Sequence, residues 1–554
     1  MKKMILVTIT TVILSISLLA GPVDAGRCGP VDAGRYGPGA VVKRMALPSA
    51  FSTGLAFDGK AFWTVDRDSD TLYRVDPVDG KVLAEFDAPG YFCTALAWDG
   101  KSLWVADMDF TNTAAEAYSG KLYQVDASTG RTLKVIMAPG ADPQGLAWDG
   151  AYLWVSDNGS HEIYQVSPDD GTTIKTLKAP AGDPRGLAWD GSCLWLADRS
   201  RDELYRIEPA SGRVIMILPA PGPYPWGLAW AQNSLWVSDY QQDEIAQVVV
   251  FADGAYTRSR ERDAVITFTH DAINFGPGTV TGLDVYLALP RDRSTQEIMA
   301  IDFPEPPDGR LTDRWGQEVA RFRKAFLKPG ERSVTRMRVK AKIYDVMYYL
   351  FPEKAGSLKD IPADIRGRFL ADDDKYRLQD PVIQDAVREA VAGTDNPYWI
   401  ARNIFDYLRQ KMVYKRIGGW DIAPTVLQRG SGSCSEYAFV YIAMCRAAGL
   451  PARYAGSVVA RGEDASFDFV YHRWVEVFLP NSGWVPVDPS GGDQDSPRDQ
   501  AMYFGHLDNR FLITTESGGG SEYLKWDYNS SESWQADGRV QLRLEMIADW
   551  DTGK

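Results

Sequence analysis

The sequence predicts a multidomain protein in which an all-β five-bladed propeller and a β-sandwich precede an α+β core. Three observations predict it: a unit recurs at a near-constant period through the first half, long alternating strands replace it after residue 250, and helical apolar periodicity begins after Asp380. A chain of 554 residues, 45% hydrophobic and 24% charged, is long enough for about three globular domains rather than one.

Lys2 and Lys3 precede an apolar run over residues 4–20, and Val23-Asp24-Ala25 follows as a small-residue cleavage site, so 1–25 reads as a secretory signal peptide and 26–39 as a linker. The run is shorter than the roughly 20 residues of a spanning helix and carries Thr8, Thr10, Thr11, Ser15 and Ser17, which makes an uncleaved anchor the weaker reading. Segments 21–28 and 29–36 nearly duplicate each other, which sets Ala33 beside Ala25 as a second cleavage position. Arg27 before Cys28 makes a poor lipoprotein signal. A secreted, periplasmic or cell-envelope protein is expected, touching a membrane only through an uncleaved signal.

The repeat occupies 40–250. Gly54-Leu55-Ala56-Phe57-Asp58-Gly59 returns at Ala95, Gly145, Gly186 and Gly227, and each copy is followed by a strand bearing Trp63, Trp104, Trp154, Trp195 or Trp236. Those tryptophans are spaced 41, 50, 41 and 41, the long interval holding an insertion near 112–118. A period near 41 with short β runs and Asp-Gly turns means propeller blades. The fifth copy stops after its third strand while 41–47 resembles a fourth, so joining the chain ends would close the ring. The repeated Trp and Asp are read as serving the repeat rather than a ligand.

In 251–350, Val285 to Pro290 and Val334 to Ile343 read as half-buried strands, the second with Met337, Val339, Ala341 and Ile343 on one face and Arg336, Arg338, Lys340 and Lys342 on a solvated one. Pro/Gly-rich turns around them predict the β-sandwich. Asp380-Pro381 and Asn396-Pro397 then each pair an N-cap with a first-turn proline, opening two helices of the core over 351–515. Residues 516–554 form a C-terminal β extension with no assigned position.

The chemistry is read from Cys434, His472 and Asp488. Ser433 to Glu436 reads S-x-x-E and signals a capped helix with Cys434 at its first position, where backbone N–H groups and the macrodipole lower a thiol pKa, Glu436 pulling the other way. A stripe of Ala438, Tyr441, Ile442 and Cys445 is expected to face inward until Gly449. His472 opens one strand and Asp488 ends the next, with Asn481-Ser482-Gly483 as the turn. A hairpin centred on Ser482 would set Asp488 opposite Glu476, leaving His472 roughly 13 Å away, so contact demands a register centred nearer Pro480. A thiolate opposite an imidazole held by a carboxylate is equipped for acyl transfer.

Gly432-Ser433-Cys434-Ser435-Glu436-Tyr437-Ala438, Arg446-Ala447-Ala448-Gly449-Leu450-Pro451-Ala452-Arg453, His472-Arg473-Trp474-Val475-Glu476-Val477 and Trp484-Val485-Pro486-Val487-Asp488-Pro489 together resemble the bacterial and archaeal transglutaminase-like superfamily, over roughly 380–513. The resemblance implies a papain-like fold, with Cys434 as nucleophile, His472 as general base and Asp488 as its orienter. It implies an amidase, peptidase or cross-linking enzyme acting on a protein or peptide, or an inert member of the same scaffold acting in envelope binding and assembly. For the oxyanion donor, Trp420, Gln428 and the backbone N–H of Cys434 stand as alternatives.

The propeller is expected to grip substrate or an envelope partner. A net charge of −14 argues against nucleic acid, and five widely spread cysteines are no disulfide framework. Cys93, Cys193 and Cys445 are read as buried apolar residues, and His161, His270 and His506 as surface or loop residues, the last bordering the cleft. No metal or cofactor motif is found: Asp66 to Asp70 starts like a calcium loop, but Thr71 stands where glycine is needed.

Overall fold

The computed structural model describes residues 37–108, 120–251, 255–416, 419–462 and 467–551. The signal segment, most of the linker and the 112–118 insertion lie outside them.

The N-terminal repeats fold as five four-stranded antiparallel sheets. Their innermost strands, Ser52–Phe57, Cys93–Trp98, Pro143–Trp148, Pro184–Trp189 and Pro225–Ala231, each touch the next, and the last returns to the first, giving a propeller-like ring. The repeated glycine is what lets them approach: a Cβ at Gly145 would lie 2.3 Å from Arg185 O, and one at Gly186 2.1 Å from Trp226 O. Strand Val41–Ala46 pairs with Glu244–Val248 and supplies the outer strand of the fifth sheet, as joined chain ends require. All five repeat tryptophans are at most 1% exposed. The first four donate their indole N–H to Asp58, Asp99, Asp149 and Asp190 at 2.8–3.1 Å, while the other carboxylate oxygen takes turn N–H groups. The fifth repeat has Ala231 in the aspartate's place, and Trp236 Nε1 is buried without a partner.

The expected two-sheet sandwich is instead one eight-stranded sheet folded over on itself. Its spine is Tyr256–Ala288, paired first with Arg332–Tyr348, then with Glu318–Lys324, and along its other edge with Ser530–Asp551. Register slips between Asn274 and Gly282 change the parity of the buried side chains, from Ala264, Ile266, Phe268 and Ala272 to Leu283, Val285 and Leu287. Both sets enter one apolar core with Met337, Val339, Ala341 and Ile343. The C-terminal extension is therefore part of this sheet. His270 lies on the same buried face, 2% exposed with Nε2 3.3 Å from Glu532, and is not a surface residue.

Helices α1 (Ala363–Phe369), α2 (Pro381–Val391), α3 (Pro397–Lys411), α4 (Ala423–Arg429) and α5 (Cys434–Ala447) precede a sheet ordered Gly483–Val487, His472–Leu479, Ala452–Val459, Phe511–Ser517, with α6 (Pro497–Ala501) between its strands in sequence. The last strand crosses the expected boundary at 515. Asp380 and Asn396 cap α2 and α3 as predicted. Helix α5 is enclosed on all sides, every residue from Ser435 to Arg446 being buried, rather than on a single stripe. Arg293 from the folded sheet and Arg453 from the core meet buried Glu476 and Glu516, joining the two bodies through an ionic cluster. No described helix is long and apolar enough to cross a membrane.

The ring also contains a buried pair, Arg206 Nε to Asp190 Oδ2 at 2.8 Å, each side chain 1% exposed. Asp190→Ala leaves that guanidinium with Glu353 as its remaining carboxylate partner, also removes the bonds from Trp195, Ser192 and Cys193, and is expected to cost about 3 kcal/mol. Asp149→Ala, which removes bonds from Trp154, Gln165 and the turn N–H groups of Ala151 and Tyr152 but strands no charge, is expected to cost less, about 1–2 kcal/mol. Thermal unfolding of the full chain checks the order.

Candidate active site

Cys434 is the first residue of α5, the position that presents its sulfur to unpaired backbone N–H groups. Glu436 is 1% exposed and accepts from Ser433 N–H at 2.9 Å and Arg429 Nη2 at 2.8 Å. Its charge is thus matched by Arg429, which offsets the opposition to the thiolate expected from sequence. Gly432 makes the approach possible, since a Cβ there would stand 2.8 Å from Glu436 Cβ.

The hairpin pairs Glu476 with Pro486 and Leu479 with Gly483, a register centred on Asn481. It falls between the two alternatives weighed from sequence. Asp488 comes opposite Trp474, and His472 reaches it diagonally, with Nε2 2.7 Å from Asp488 Oδ2. The other ring nitrogen is left for the Cys434 sulfur, on which His472 and the Arg473 backbone N–H both act. Trp474 and Phe511 hold the imidazole plane, each with its ring centroid 5.8 Å away. Asp488 Oδ1 is occupied by Ser490 N–H at 3.0 Å, Ser490 Oγ at 2.7 Å and Gly491 N–H at 3.1 Å, so only Oδ2 faces the ring. The structure thus brings together all three residues singled out in the sequence.

The electrostatics follow from this contact chain. Burial opposes charge on His472, but the Asp488 carboxylate and the Cys434 sulfur outweigh it and raise the ring to about 10. Burial opposes the Cys434 thiolate as well, yet the imidazolium and the Arg473 N–H carry its pKa below the ordinary thiol value. Asp488 is lowered by His472 against its own desolvation. Both shifts favour the thiolate–imidazolium pair over the neutral one. The other described cysteines go the opposite way: burial raises Cys93, Cys445 and Cys193, the last to about 11.

Residues 384–489 match the family model of the transglutaminase-like superfamily, a span that begins in α2 and closes one residue past Asp488. The chain carries a transglutaminase-like domain. No curated relative matches the sequence. Among solved structures, the chain is similar to a putative cysteine protease from Cytophaga hutchinsonii, at 13% identity and TM-score 0.36 over 53% of this chain and 100% of that one. It is also similar to a glutaminyl cyclase from Myxococcus xanthus, at 16% identity and TM-score 0.33 over 38% and 94% of the two chains. Virginiamycin B lyase from Staphylococcus aureus aligns at 16% identity and TM-score 0.25, over 37% and 68%. Likenesses at this level are partial and say nothing of activity.

The transglutaminase-like domain also contains residues that the sequence reading passed over. Arg473 is fully buried, its guanidinium 4.3 Å from the Tyr454 ring, 4.4 Å from Tyr528, 5.0 Å from Trp420 and 5.2 Å from Phe439. An arginine in phase with the inward-facing Val475 and Val477 was its sequence signal. Tyr528, from the C-terminal segment, hydrogen-bonds Ser435 and stacks with Trp420 at 6.4 Å. Of the two side chains weighed as oxyanion donors, Trp420 is thereby tied to the N-terminus of α5, while Gln428 is exposed on α4. His506 lines a cavity of about 400 Å³ that also reaches His472 and Asp488, bordering the cleft as expected, and its Nε2 is bonded to Asp345. His161 is exposed. Among the described residues no group of three or more His, Cys, Asp or Glu side chains could hold a metal.

The thiolate fraction of Cys434 grows as pH rises through its lowered pKa, so iodoacetamide labelling should reach half-maximal rate below the ordinary thiol midpoint of about 8.5. His472→Ala should move that midpoint upward. Because His472 is raised, the imidazolium persists until pH climbs through about 10, so a reaction that needs it as an acid should fall only on that alkaline limb.

Proposed function

We propose that this protein is an exported thiol enzyme that opens amide or peptide bonds by acyl transfer, with Cys434, His472 and Asp488 as its catalytic residues. The observation that carries the reading is the His472 ring held by Asp488 Oδ2 at 2.7 Å, with the Cys434 thiol lowered by that same ring. The thiolate adds to the carbonyl carbon, and the oxyanion forms beside the first turn of α5, whose N–H groups stabilise it. The imidazolium gives its proton to the departing amine, and a thioester is left on Cys434. Water, deprotonated by the now neutral His472, attacks the thioester and releases the acid. Asp488 keeps the ring in the tautomer and orientation that both halves require.

Hydrolysis is preferred over cross-linking, because an amine acceptor must outcompete water at about 55 M, which calls for a shielded cleft. In this reading residues 40–250 form a five-bladed propeller that presents a protein or peptide substrate from the cell envelope. The leader at 1–25 supports export. An inert binding protein on the same scaffold is the competing outcome of the test.

Cys434→Ala should abolish thioester formation on an amide substrate and lower turnover by on the order of 10⁴-fold with an unchanged circular dichroism spectrum. Retained turnover removes Cys434 from the mechanism. Slow, equal alkylation of Cys434 and buried Cys445 in the wild type would leave the scaffold as a binding protein. Mass spectrometry of envelope extract treated with the purified chain distinguishes products: new carboxyl termini or deamidated side chains for hydrolysis, isopeptide-linked pairs for transfer to an amine.

A further inference from the structure

Asp488 is held by a segment that leaves the transglutaminase-like domain and returns to it. Residues 489–505 depart at the Ser490-Gly491 turn and come back where Tyr503 O accepts the Asp488 N–H at 2.9 Å and Pro486 O accepts the Gly505 N–H at 2.8 Å. The two limbs are pressed together, since a Cβ on Gly491 would lie 2.3 Å from the Tyr503 ring. A shift at the far end of this strap is therefore transmitted to the carboxylate that orients His472.

That far end rests on the third and fourth sheets of the ring. Arg498 places Nε and Nη2 on the two oxygens of Glu203, at 2.9 and 2.8 Å, with both side chains less than a fifth exposed. Glu203 is in turn fixed by the hydroxyl of fully buried Tyr205 at 2.7 Å. Lys178 Nζ donates to Asp495 O at 3.2 Å and Ser496 Oγ to Pro180 O at 3.1 Å, while Ala501 and Met502 join the apolar cluster of Leu177, Ala179 and Ile217. A two-pronged Arg–carboxylate bond fixes orientation as well as distance.

Two further observations give the attachment its weight. The outer strand of the fourth sheet, Val214–Pro219, buries its first five residues, whereas Val82–Asp87, Thr132–Met137 and Thr173–Lys178 leave several positions exposed, so this one sheet is built to be covered. The strap also has open space behind it: the cavity of about 400 Å³ lies among His472, Asp488, Arg498, Asp499, Met502 and Tyr503. The near limb packs on Phe405, whose ring a Cβ on Gly492 would meet at 2.2 Å, so it is on the cavity side that Asp488 relies on the ends of the strap.

We propose that Arg498 and Glu203 are positioning residues through which the docked propeller holds Asp488 against His472, so that the ring is a structural component of the active site as well as a binding module. This rests on the reading of Cys434 as the nucleophile. A displacement near 1 Å in such an orienter costs on the order of 10²-fold in rate. A weakened His472–Asp488 contact also destabilises the imidazolium, and with it the Cys434 thiolate.

The test uses the full chain and needs no known substrate: the pH dependence of Cys434 alkylation by iodoacetamide, with Cys434→Ala as the blank. Arg498→Gln and Glu203→Gln are each expected to raise the midpoint by about one pH unit, about tenfold less thiolate on the acid side. Arg213→Gln is the control, because Arg213 bridges the same fourth sheet to Asp406 at 2.9 Å and Asn403 at 2.8 Å on α3 without touching the strap; its midpoint should stay with the wild type. Arg461, His506, Asp499 and Arg510 are unaltered in all variants, and the direct effect of losing the Arg498 cation is opposite in sign to that of losing the Glu203 anion, so a rise in both reports on Asp488. An unshifted midpoint in both strap variants overturns the proposal, as does an equal shift in Arg213→Gln, which would make it a general effect of domain contact. An ordinary thiol midpoint in the wild type instead sinks the functional reading itself.

Discussion

A single imidazole ring, caught between a sulfur and a carboxylate, sets the demands that the surrounding structure meets. His472 stands at the first position of its strand, where the ring can reach the start of α5 on one side and the end of the neighbouring strand on the other. Each partner is fixed from elsewhere: Cys434 by the capped and fully enclosed α5, Asp488 by three bonds to its spare oxygen. Charge separation between sulfur and ring is favoured because the Asp488 counter-charge is close, and Trp474 and Phe511 keep the ring in place. Removing any one support leaves a buried charge without its complement.

The bodies around this core are joined rather than strung together. The folded sheet and the transglutaminase-like domain share the buried cluster of Arg293, Arg453, Glu476 and Glu516, in which Arg293, Arg453 and the neighbouring Arg291 hold the Glu516 carboxyl well below the ordinary value against its desolvation. Tyr528, contributed by the C-terminal segment, stacks with Trp420 and reaches Ser435. The site thus draws on residues from well beyond 384–489, the part that matches the family model.

Much of this was legible in the residues. The spacing of Trp63, Trp104, Trp154, Trp195 and Trp236 predicted the repeated sheets and the joining of chain ends, because a repeat imposes its own period on the sequence. Helix caps at Asp380 and Asn396 are local and were read locally. The hairpin register was not, since the turn residues allow several centres and only tertiary packing selects Asn481. The folded-over sheet escaped for a related reason: slips between Asn274 and Gly282 switch the buried parity, so alternation on either side looks like two separate strands. The all-round burial of α5 was also hidden, as a stripe of apolar residues does not reveal what covers the remaining faces. One missed signal was present in plain view, namely Val214-Ile215-Met216-Ile217-Leu218, an unbroken apolar run where sister strands are interrupted by Glu85, Lys134 or Lys175. A repeat position that departs from its siblings is answering to something outside the repeat.

The ring's seam has a consequence for the order in which the molecule is assembled. Met45 finds its partner in Ile245, and His270 in Met546, so the earliest strand of each body is completed by a strand synthesised long afterwards. Such distant pairings pay their loop-closure entropy before they return any contact, which slows maturation and leaves edge strands uncovered meanwhile. The nascent chain therefore passes through a stage with an open ring and an unfinished sheet, and a companion that shields bare β edges would be most useful to it then.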